Sequence, residues 1–351
     1  MSTPHPGHAL FLEVHVTRWA LPSTLLLTAL NIGALGQTTA APIPAVPLDA
    51  KAAILDAFRL HQLVAIGDAH GNLQGEAFQL ALIGDPRFSQ VVNDILVESG
   101  NARYQQLVDR FVAGDEVAPD ALQRVWLDTT QQQVASLEVP ELFTVVRRIN
   151  ATLPADRRLR ILLGEPPIDW DRIRTVEDLR QWEEEPIANR DRFGVEIIRQ
   201  EVLAKKRRVL ALYGAGHFFR KVISESLVTV FEESQAKAFT IWTNAAAEMA
   251  SMQADVATWP VPSLTHVRGT ILGQTNIAEY FGPSGKDIPP EWRASMQDQF
   301  DAVLYVGPLS QIVLGRPRPW RCSEPALGER VRRLALQRPA LADRVKRECV
   351  P

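Results

Sequence analysis

The stretch "LVAIGDAHG", Leu63 to Gly71, runs from an apolar segment directly into a carboxylate, a histidine and a glycine turn. Its apolar part lacks the polar alternation of a strand with one face in water, so it predicts a strand covered on both faces. Asp68 and His70 follow at the point where this strand ends. The stretch is either a turn that happens to contain a histidine or the edge of a functional site.

Similar apolar runs recur along the chain, and longer amphipathic stretches separate them. The runs are 62–67, 94–98, 159–164, 208–214, 238–242 and 301–307. The amphipathic stretches predict helices at 74–83, 101–114, 119–135, 138–151, 175–185, 187–206 and 216–235. Strands that alternate with helices are typical of a parallel sheet. We therefore predict an α/β fold, in which a mostly parallel central sheet has helices on both faces and forms a single large domain.

The overall composition limits the classes of partner. The 351 residues carry a formal net charge of −3, with 46% hydrophobic and 23% charged residues, as in an ordinary globular protein with a substantial core. This balance offers no electrostatic attraction for nucleic acid, so we expect no nucleic-acid partner. The sequence also lacks zinc-finger spacing and a phosphate-binding glycine loop. A small-molecule or peptide substrate is the expected partner.

The first 40 residues have the pattern of an export signal. Arg18 precedes an uncharged stretch, Trp19–Gly36, and small residues and prolines follow. This order is typical of a secretory signal peptide, with cleavage after Gly36 or Ala40. The alternative is an uncleaved membrane anchor, which would be the only expected membrane contact. The sequence thus predicts an exported protein, periplasmic or secreted.

The α/β domain is predicted to cover 48–310, and a basic tail follows at 311–351. Residues 316–351 contain ten Lys or Arg against four acids, which favours a solvated helix over the core. The two cysteines of the chain, Cys322 and Cys349, both lie in this tail. In an exported protein an even cysteine count predicts a disulfide between them, and two free thiols are the alternative.

Polar side chains follow four of the apolar runs at the point where each run ends. In chain order they are Asp68, His70, Glu98, Asn101, Glu165 and His217. Any one of them alone could be a helix cap or a turn residue. However, the carboxyl ends of parallel strands lie side by side, and ligands bind in the crevice beyond them. Their repetition at the same structural position therefore predicts one pocket.

Two histidines and three carboxylates in one pocket support two chemistries. They can hold a divalent metal ion that activates water, with His70, Glu98 and His217 as candidate ligands. Alternatively, a carboxylate can orient a histidine that acts as a general base. A serine nucleophile is not expected, because the sequence contains no G-x-S-x-G elbow.

Four motifs, in their order along the chain, resemble those of the erythromycin esterase-like proteins and their relatives, the ChaN and Tiki families. The segments are "VAIGDAHG", "VESGNARYQQLVDRF", "NRDRFGVEIIRQEVLAKKRRVLALYGAGHF" and "FDAVLYVGP", which together span about residues 60–308. Asp68 stands where the esterase group has Glu, and the first turn is one residue shorter, as in ChaN.

The resemblance implies a hydrolase-like pocket on an α/β fold. His70 would be the general base that activates water, and Asp68 or Glu98 would orient it. Glu165 would serve as a second acid or base. We therefore expect an esterase-like or metal-dependent hydrolase of ester, lactone or amide substrates.

The substrate would be held by residues near the same motifs. His217 and Arg190 would bind or polarise its carbonyl oxygen. The remaining predicted substrate-binding residues are Asn101, Arg103 and Tyr104.

The resemblance leaves the cofactor open, because these groups differ in chemistry. The esterase group is thought to need no metal, Tiki proteins are metal-dependent proteases, and ChaN binds haem. A divalent metal, haem or no cofactor are all compatible with the motifs. The alternative function is therefore binding of haem or another planar ligand, for which the sequence offers Tyr104, Tyr213, Phe218, Phe219, Tyr280 and Phe281.

Overall fold

The computed structural model describes residues 41–130, 139–245, 247–281, 293–315 and 327–348, which are built around one eight-stranded sheet. The strands are β1 (Leu48–Asp49), β2 (Leu63–Asp68), β3 (Asp94–Asn101), β4 (Arg160–Glu165), β5 (Val209–Gly214), β6 (Ala238–Thr243), β7 (Ser263–His266) and β8 (Ala302–Tyr305). Their order across the sheet is β1-β7-β8-β6-β2-β5-β3-β4.

The sheet is mostly parallel, as the sequence predicted. β8, β6, β2, β5, β3 and β4 run parallel to one another, and β7 pairs antiparallel with β1 and β8. All six apolar runs form strands. β1 and β7 were not predicted, because two and four residues are too few to show a hydrophobic period.

Each face of the sheet carries its own hydrophobic core. Along β2, Leu63 and Ala65 pack on one face, whereas Val64 and Ile66 pack on the other. This alternation follows from the two-residue period of a strand. Because both faces are covered, every residue from Leu63 to Gly67 is buried, which explains the unbroken apolar run.

The helices of the described residues lie mostly where the amphipathic stretches predicted them. They are α1 (Ala50–Ala57), α2 (Leu73–Ile83), α3 (Phe88–Val91), α4 (Gln105–Ala113), α5 (Pro119–Leu127), α6 (Val139–Asn150), α7 (Val176–Glu183), α8 (Arg190–Ile197), α9 (Leu227–Glu232), α10 (Ile271–Gln274), α11 (Met296–Gln299), α12 (Leu327–Gln337) and α13 (Pro339–Glu348). A π-helix at Ile198–Leu203 continues α8.

The helix predicted at 216–235 was wrong over its first half. Residues Ala215–Phe218 form a single 3-10 turn, and α9 begins only after Ser226. The Ser226 hydroxyl accepts a hydrogen bond from the Thr229 N–H, so it caps this helix. His217 therefore lies in the 3-10 turn that directly follows β5, and not inside an α-helix.

The C-terminal tail forms two helices, α12 and α13, and it is less solvated than the sequence predicted. Arg333 of α12 is only 5% exposed, and its guanidinium donates to Asp128 at 2.5 Å. Gln337 donates to the Thr130 carbonyl oxygen. These contacts attach α12 to the segment that follows α5, which is close to the predicted site.

Two sequence predictions fall outside the described residues. These are the export signal or anchor at 1–40 and the pairing of Cys322 with Cys349. Among the helices of the described ranges, none is long and apolar enough to cross a membrane.

Replacing Arg333 by alanine should lower the free energy of unfolding by about 1.5–3 kcal/mol, because the buried Asp128 would lose the more buried of its two guanidinium partners and keep only Arg124, which is 47% exposed. Urea denaturation of the wild type and the variant measures this difference. The matched control is Arg347→Ala, since Arg347 is exposed in the same helical pair and should change stability by less than about 0.5 kcal/mol. Equal effects of the two substitutions would contradict the buried ion pair.

Candidate active site

Four neighbouring strands, β2, β5, β3 and β4, bring the predicted catalytic residues to one edge of the sheet. Asp68 pairs with Gly214 at the ends of β2 and β5, and Asn101 pairs with Glu165 at the ends of β3 and β4. His70 follows β2 by two residues and His217 follows β5 by three. Side chains that lie far apart in sequence therefore meet beyond the carboxyl ends of the strands.

The Glu98 carboxylate lies at the centre of this cluster, and it is 5% exposed. Its Oε1 accepts from Arg190 Nη2 at 2.8 Å and lies 3.3 Å from His217 Nε2. Its Oε2 accepts from the Gly214 N–H at 2.6 Å. Burial raises the pKa of Glu98, but His217, Arg190 and His70 lower it by more. Its pKa is therefore far below the usual range, and Glu98 is an anion.

Arg190 joins Glu98 to the second buried acid, Glu165. Its Nη2 lies 2.5 Å from Glu165 Oε1, and the Thr130 hydroxyl donates to the other oxygen of Glu165. Complete burial raises the pKa of Glu165, and the Arg190 charge opposes this shift only in part. Asn189 caps α8 by accepting from the Arg192 N–H at 3.0 Å, which fixes Arg190 in the first turn of the helix.

His217 is held between two carboxylates. Its Nδ1 lies 2.5 Å from Asp191 Oδ1, and its Nε2 faces Glu98. Burial lowers the pKa of His217, but hydrogen bonds to Asp191 and Glu98 raise it by more, to about 9. His217 is therefore an imidazolium near neutral pH, with both nitrogens engaged. A cation of this kind can stabilise negative charge but cannot accept a proton.

His70 differs from His217 in being open to solvent. Its side chain is 43% exposed, its Nδ1 lies 3.1 Å from Asp68 Oδ1, and its Nε2 lies 3.6 Å from Glu98 Oε2. The second distance is too long for a hydrogen bond, so Nε2 remains available. Burial lowers the pKa of His70, but Asp68 and Glu98 raise it by more, above its ordinary value of 6.5.

The three remaining predicted substrate-binding residues bind neighbouring loops of the protein instead. Asn101 is fully buried, and its amide nitrogen donates to the carbonyl oxygens of Asp128 and Ile168. Tyr104 donates its hydroxyl to Asp128 at 2.5 Å. Arg103 pairs with Asp169 at 3.0 Å. These contacts join the loops after β3 and β4, and they do not place the three side chains in the His70 cluster.

The donor set does not fit a divalent metal ion at the candidate ligands His70, Glu98 and His217. Both oxygens of Glu98 already accept N–H donors, and the cations Arg190 and His217 lie against them. Within the described ranges, no group of three or more His, Cys, Asp or Glu side chains is arranged to hold a metal.

The aromatic residues that suggested a haem site do not form an open surface. Tyr213, Phe218, Phe219 and Tyr280 are buried in the core, and Phe281 packs against it. The hydroxyl of Tyr104 is bound by Asp128. The Tyr213 hydroxyl has no hydrogen-bond partner among the described residues, but it is buried, so no tyrosine of this set presents an accessible oxygen to a planar ligand and these residues do not fit haem.

Two further residues shape the cluster, Asp191, which the sequence marked only as part of the Arg190-Asp191 pair of the family motif, and Thr130, which the sequence did not indicate. Asp191 follows Arg190 directly at the start of α8, and this adjacent pair of charges was the available signal. No local sequence pattern marks Thr130, because its contact partner Glu165 lies 35 residues further along the chain.

Comparison with known proteins gives matches at the level of fold only. No protein-family model and no curated protein matches the sequence. A succinoglycan biosynthesis protein has a TM-score of 0.49 at 9% identity, over 75% of this chain and 94% of that chain. A mutant of the erythromycin esterase EreC in its open conformation has a TM-score of 0.47 at 10% identity, over 75% and 94%. ChaN of Campylobacter jejuni, in a structure of cofacial haem binding, has a TM-score of 0.35 at 13% identity, over 55% and 85%.

The esterase and ChaN belong to the groups that the sequence motifs resemble. At these identities and TM-scores the likeness gives no information about the chemistry of this protein.

Replacing Gly214 by alanine should displace His70 and reduce any catalysis that depends on this imidazole at least about 100-fold, while the fold is retained. A Cβ at this position would lie 2.7 Å from His70 Nε2 and 3.0 Å from Cε1, closer than side-chain atoms pack. The φ of Gly214 is −56°, so alanine fits the backbone itself. Circular dichroism and steady-state kinetics separate folding from activity.

The matched control is Gly216→Ala, two residues along the same turn. A Cβ there would meet nothing within 4 Å, so this variant should keep its activity. Equal losses in the two variants would contradict a specific clash with His70.

Replacing His217 by glutamine should remove a pH-dependent part of the stability. Because the folded pKa of His217 is about 9 and its ordinary value is 6.5, its stabilisation is fully present below pH 6.5 and is lost as pH rises through 9. The stability gap between wild type and variant should therefore shrink by on the order of 3 kcal/mol across this window. Urea denaturation at several pH values measures the gap, and a gap independent of pH would contradict an imidazolium at this site.

Proposed function

We propose that this protein is a hydrolase of ester or lactone substrates in which His70 is the general base. The observation that carries the proposal is the setting of this one imidazole. His70 is 43% exposed, an oxygen of Asp68 lies 3.1 Å from its Nδ1, and Glu98 lies beyond hydrogen-bond distance of its Nε2. The site therefore combines an accessible base, His70, with one carboxylate that orients it, Asp68, and a second that stabilises its charged form, Glu98.

In the proposed reaction, His70 removes a proton from a water molecule as the water oxygen attacks the substrate carbonyl. Because the Asp68 carboxylate lies 3.1 Å from Nδ1, its charge favours the proton on that nitrogen, and neutral His70 then carries its lone pair on Nε2. The proton from water moves to Nε2, and the resulting imidazolium is stabilised by Asp68 and Glu98. The same proton then passes to the leaving alkoxide when the tetrahedral intermediate collapses, which gives a carboxylic acid and an alcohol.

Negative charge on the carbonyl oxygen would be stabilised by the two cations of the cluster. The side chains of Arg190 and His217 are 16% and 18% exposed, so they are largely shielded from water yet still accessible. A charge in a site of low dielectric acts more strongly than the same charge in water. Glu98 holds both cations in place, which limits their rearrangement during the reaction.

The proposed cellular location of this protein rests on its sequence alone. The export signal pattern in residues 1–40 supports a periplasmic or secreted enzyme, which would meet its substrate outside the cytoplasm.

Replacing His70 by alanine should reduce kcat/KM at least about 100-fold on esters or lactones that the wild type hydrolyses. In the wild type kcat/KM should rise with pH through a pKa above 6.5, because the base must be neutral and its pKa is raised. Asp68→Asn should move this limb to lower pH, since it removes the neighbouring negative charge. A panel of p-nitrophenyl esters and simple lactones, assayed from acid to alkaline pH, provides the measurement.

His266→Ala is the matched control, because His266 is exposed and pairs with Ala302 at the opposite edge of the sheet. This variant should keep the wild-type rate and pH profile. The proposal fails when the wild type hydrolyses no member of the panel, or when His70→Ala retains the wild-type rate.

A further inference from the structure

The segment 311–315, which we call the strap, follows β8 and lies against the turn that carries His70. Gly71 directly follows His70, and its carbonyl oxygen accepts from the Gly315 N–H at 2.6 Å. The φ of Gly71 is +86°, and a Cβ at this position would lie 2.5 Å from the Gly315 oxygen. The turn and the strap are therefore in direct backbone contact, one residue after His70.

The side-chain amide of Gln74 extends this contact. Its Nε2 donates to the Gln311 carbonyl oxygen at 2.5 Å, and its Oε1 accepts from the Val313 N–H at 2.9 Å. The Leu73 N–H also donates to the Val313 carbonyl oxygen, at 3.0 Å. Gln74 thus connects two peptide groups of the strap to the beginning of α2, which starts at the end of the His70 turn.

Packing supports the strap only in part. Ile312 packs against the core on one face of the sheet, whereas Val313 and Leu314 are 53% and 57% exposed. Exposed apolar side chains gain little free energy from burial. The position of residues 313–315 relative to the turn therefore depends mainly on the hydrogen bonds.

We propose that the strap positions His70, and that Gln74 and Val313 are the positioning residues through which it acts. The inference rests on the proposed role of His70 as a base, and it adds residues that act through His70. The imidazole is 43% exposed, so few packing contacts fix it, and its distance of 3.1 Å to Asp68 depends on where the turn holds its backbone. A misplacement of about 1 Å can reduce a rate about 100-fold.

The first test removes the side-chain bridge. Gln74→Leu loses both hydrogen bonds to the strap, so kcat should fall on the order of tenfold, with a change in KM of less than about twofold. Gln90→Leu is the matched control, because Gln90 is exposed and its Nε2 donates to the nearby Pro86 carbonyl oxygen. The control should keep the wild-type kcat. Circular dichroism checks that both variants are folded.

The second test breaks the same contact from the side of the strap. Val313→Pro removes the N–H that Gln74 accepts, and Ile312 already has the extended conformation, φ −71° and ψ 123°, that a residue before proline requires. Val313→Ala keeps this N–H and removes only an exposed side chain. Val313→Pro should therefore lower kcat as Gln74→Leu does, and Val313→Ala should keep the wild-type value.

NMR titration of the His70 imidazole provides a readout that does not require turnover. Burial lowers the pKa of His70, Asp68 and Glu98 raise it by more, and His217 lowers it. In Gln74→Leu and Val313→Pro the displaced imidazole should lose part of this interaction, so its pKa should fall toward 6.5. The alkaline limb of kcat/KM should move to lower pH with it.

Because this titration is measured without a substrate, failure of the proposed function is distinguishable from failure of the inference. The inference is overturned when His70 titrates in both strap variants as it does in the wild type. Equal effects of Val313→Ala and Val313→Pro also overturn it, because they would assign the effect to the exposed side chain and not to the hydrogen bond.

Discussion

Burial of the Glu98 carboxylate is the constraint that the rest of the site satisfies. An ionised carboxylate removed from water costs several kcal/mol unless charges and donors replace its hydration. Here Arg190, His217 and the Gly214 N–H supply those partners within 3.3 Å. Each partner comes from a different position along the chain, so satisfying one carboxylate fixes the relative positions of β3, β5 and α8.

The same constraint gives the two histidines different properties. His217 lies between Asp191 and Glu98, and its raised pKa makes it a permanent cation near neutral pH. The Nδ1 of His70 lies 3.1 Å from an oxygen of Asp68, and its Nε2 lies 3.6 Å from the nearest Glu98 oxygen. Because the two residues have the same side chain, their carboxylate neighbours make the difference. Two carboxylates in direct contact keep His217 a cation, whereas His70 has an open Nε2 and can act as a base.

The sequence predicted the central strands and the residues at their ends for a physical reason. A strand buried on both faces must be apolar throughout, so a polar residue marks the point where the chain leaves the core. The same signal could not distinguish Glu98 from Asn101, since a buried polar residue at a strand end can also hold loops together. The contacts of Thr130 and Arg333 depend on folding of distant segments, and no local pattern reports such contacts.

The distribution of the cluster over four strands has a consequence for cooperativity. Asp68 and His217 are separated by more than half of the β2-to-β8 region, and Glu98 and Glu165 lie between them in sequence. Any stretch of chain that contains both Asp68 and His217 includes the end of β2 and the whole of β3, β4 and β5. A partly folded chain that lacks one of these four strands therefore has no functional site. Catalytic activity would be an all-or-none reporter of native structure, and its loss during denaturation should coincide with unfolding of the whole sheet.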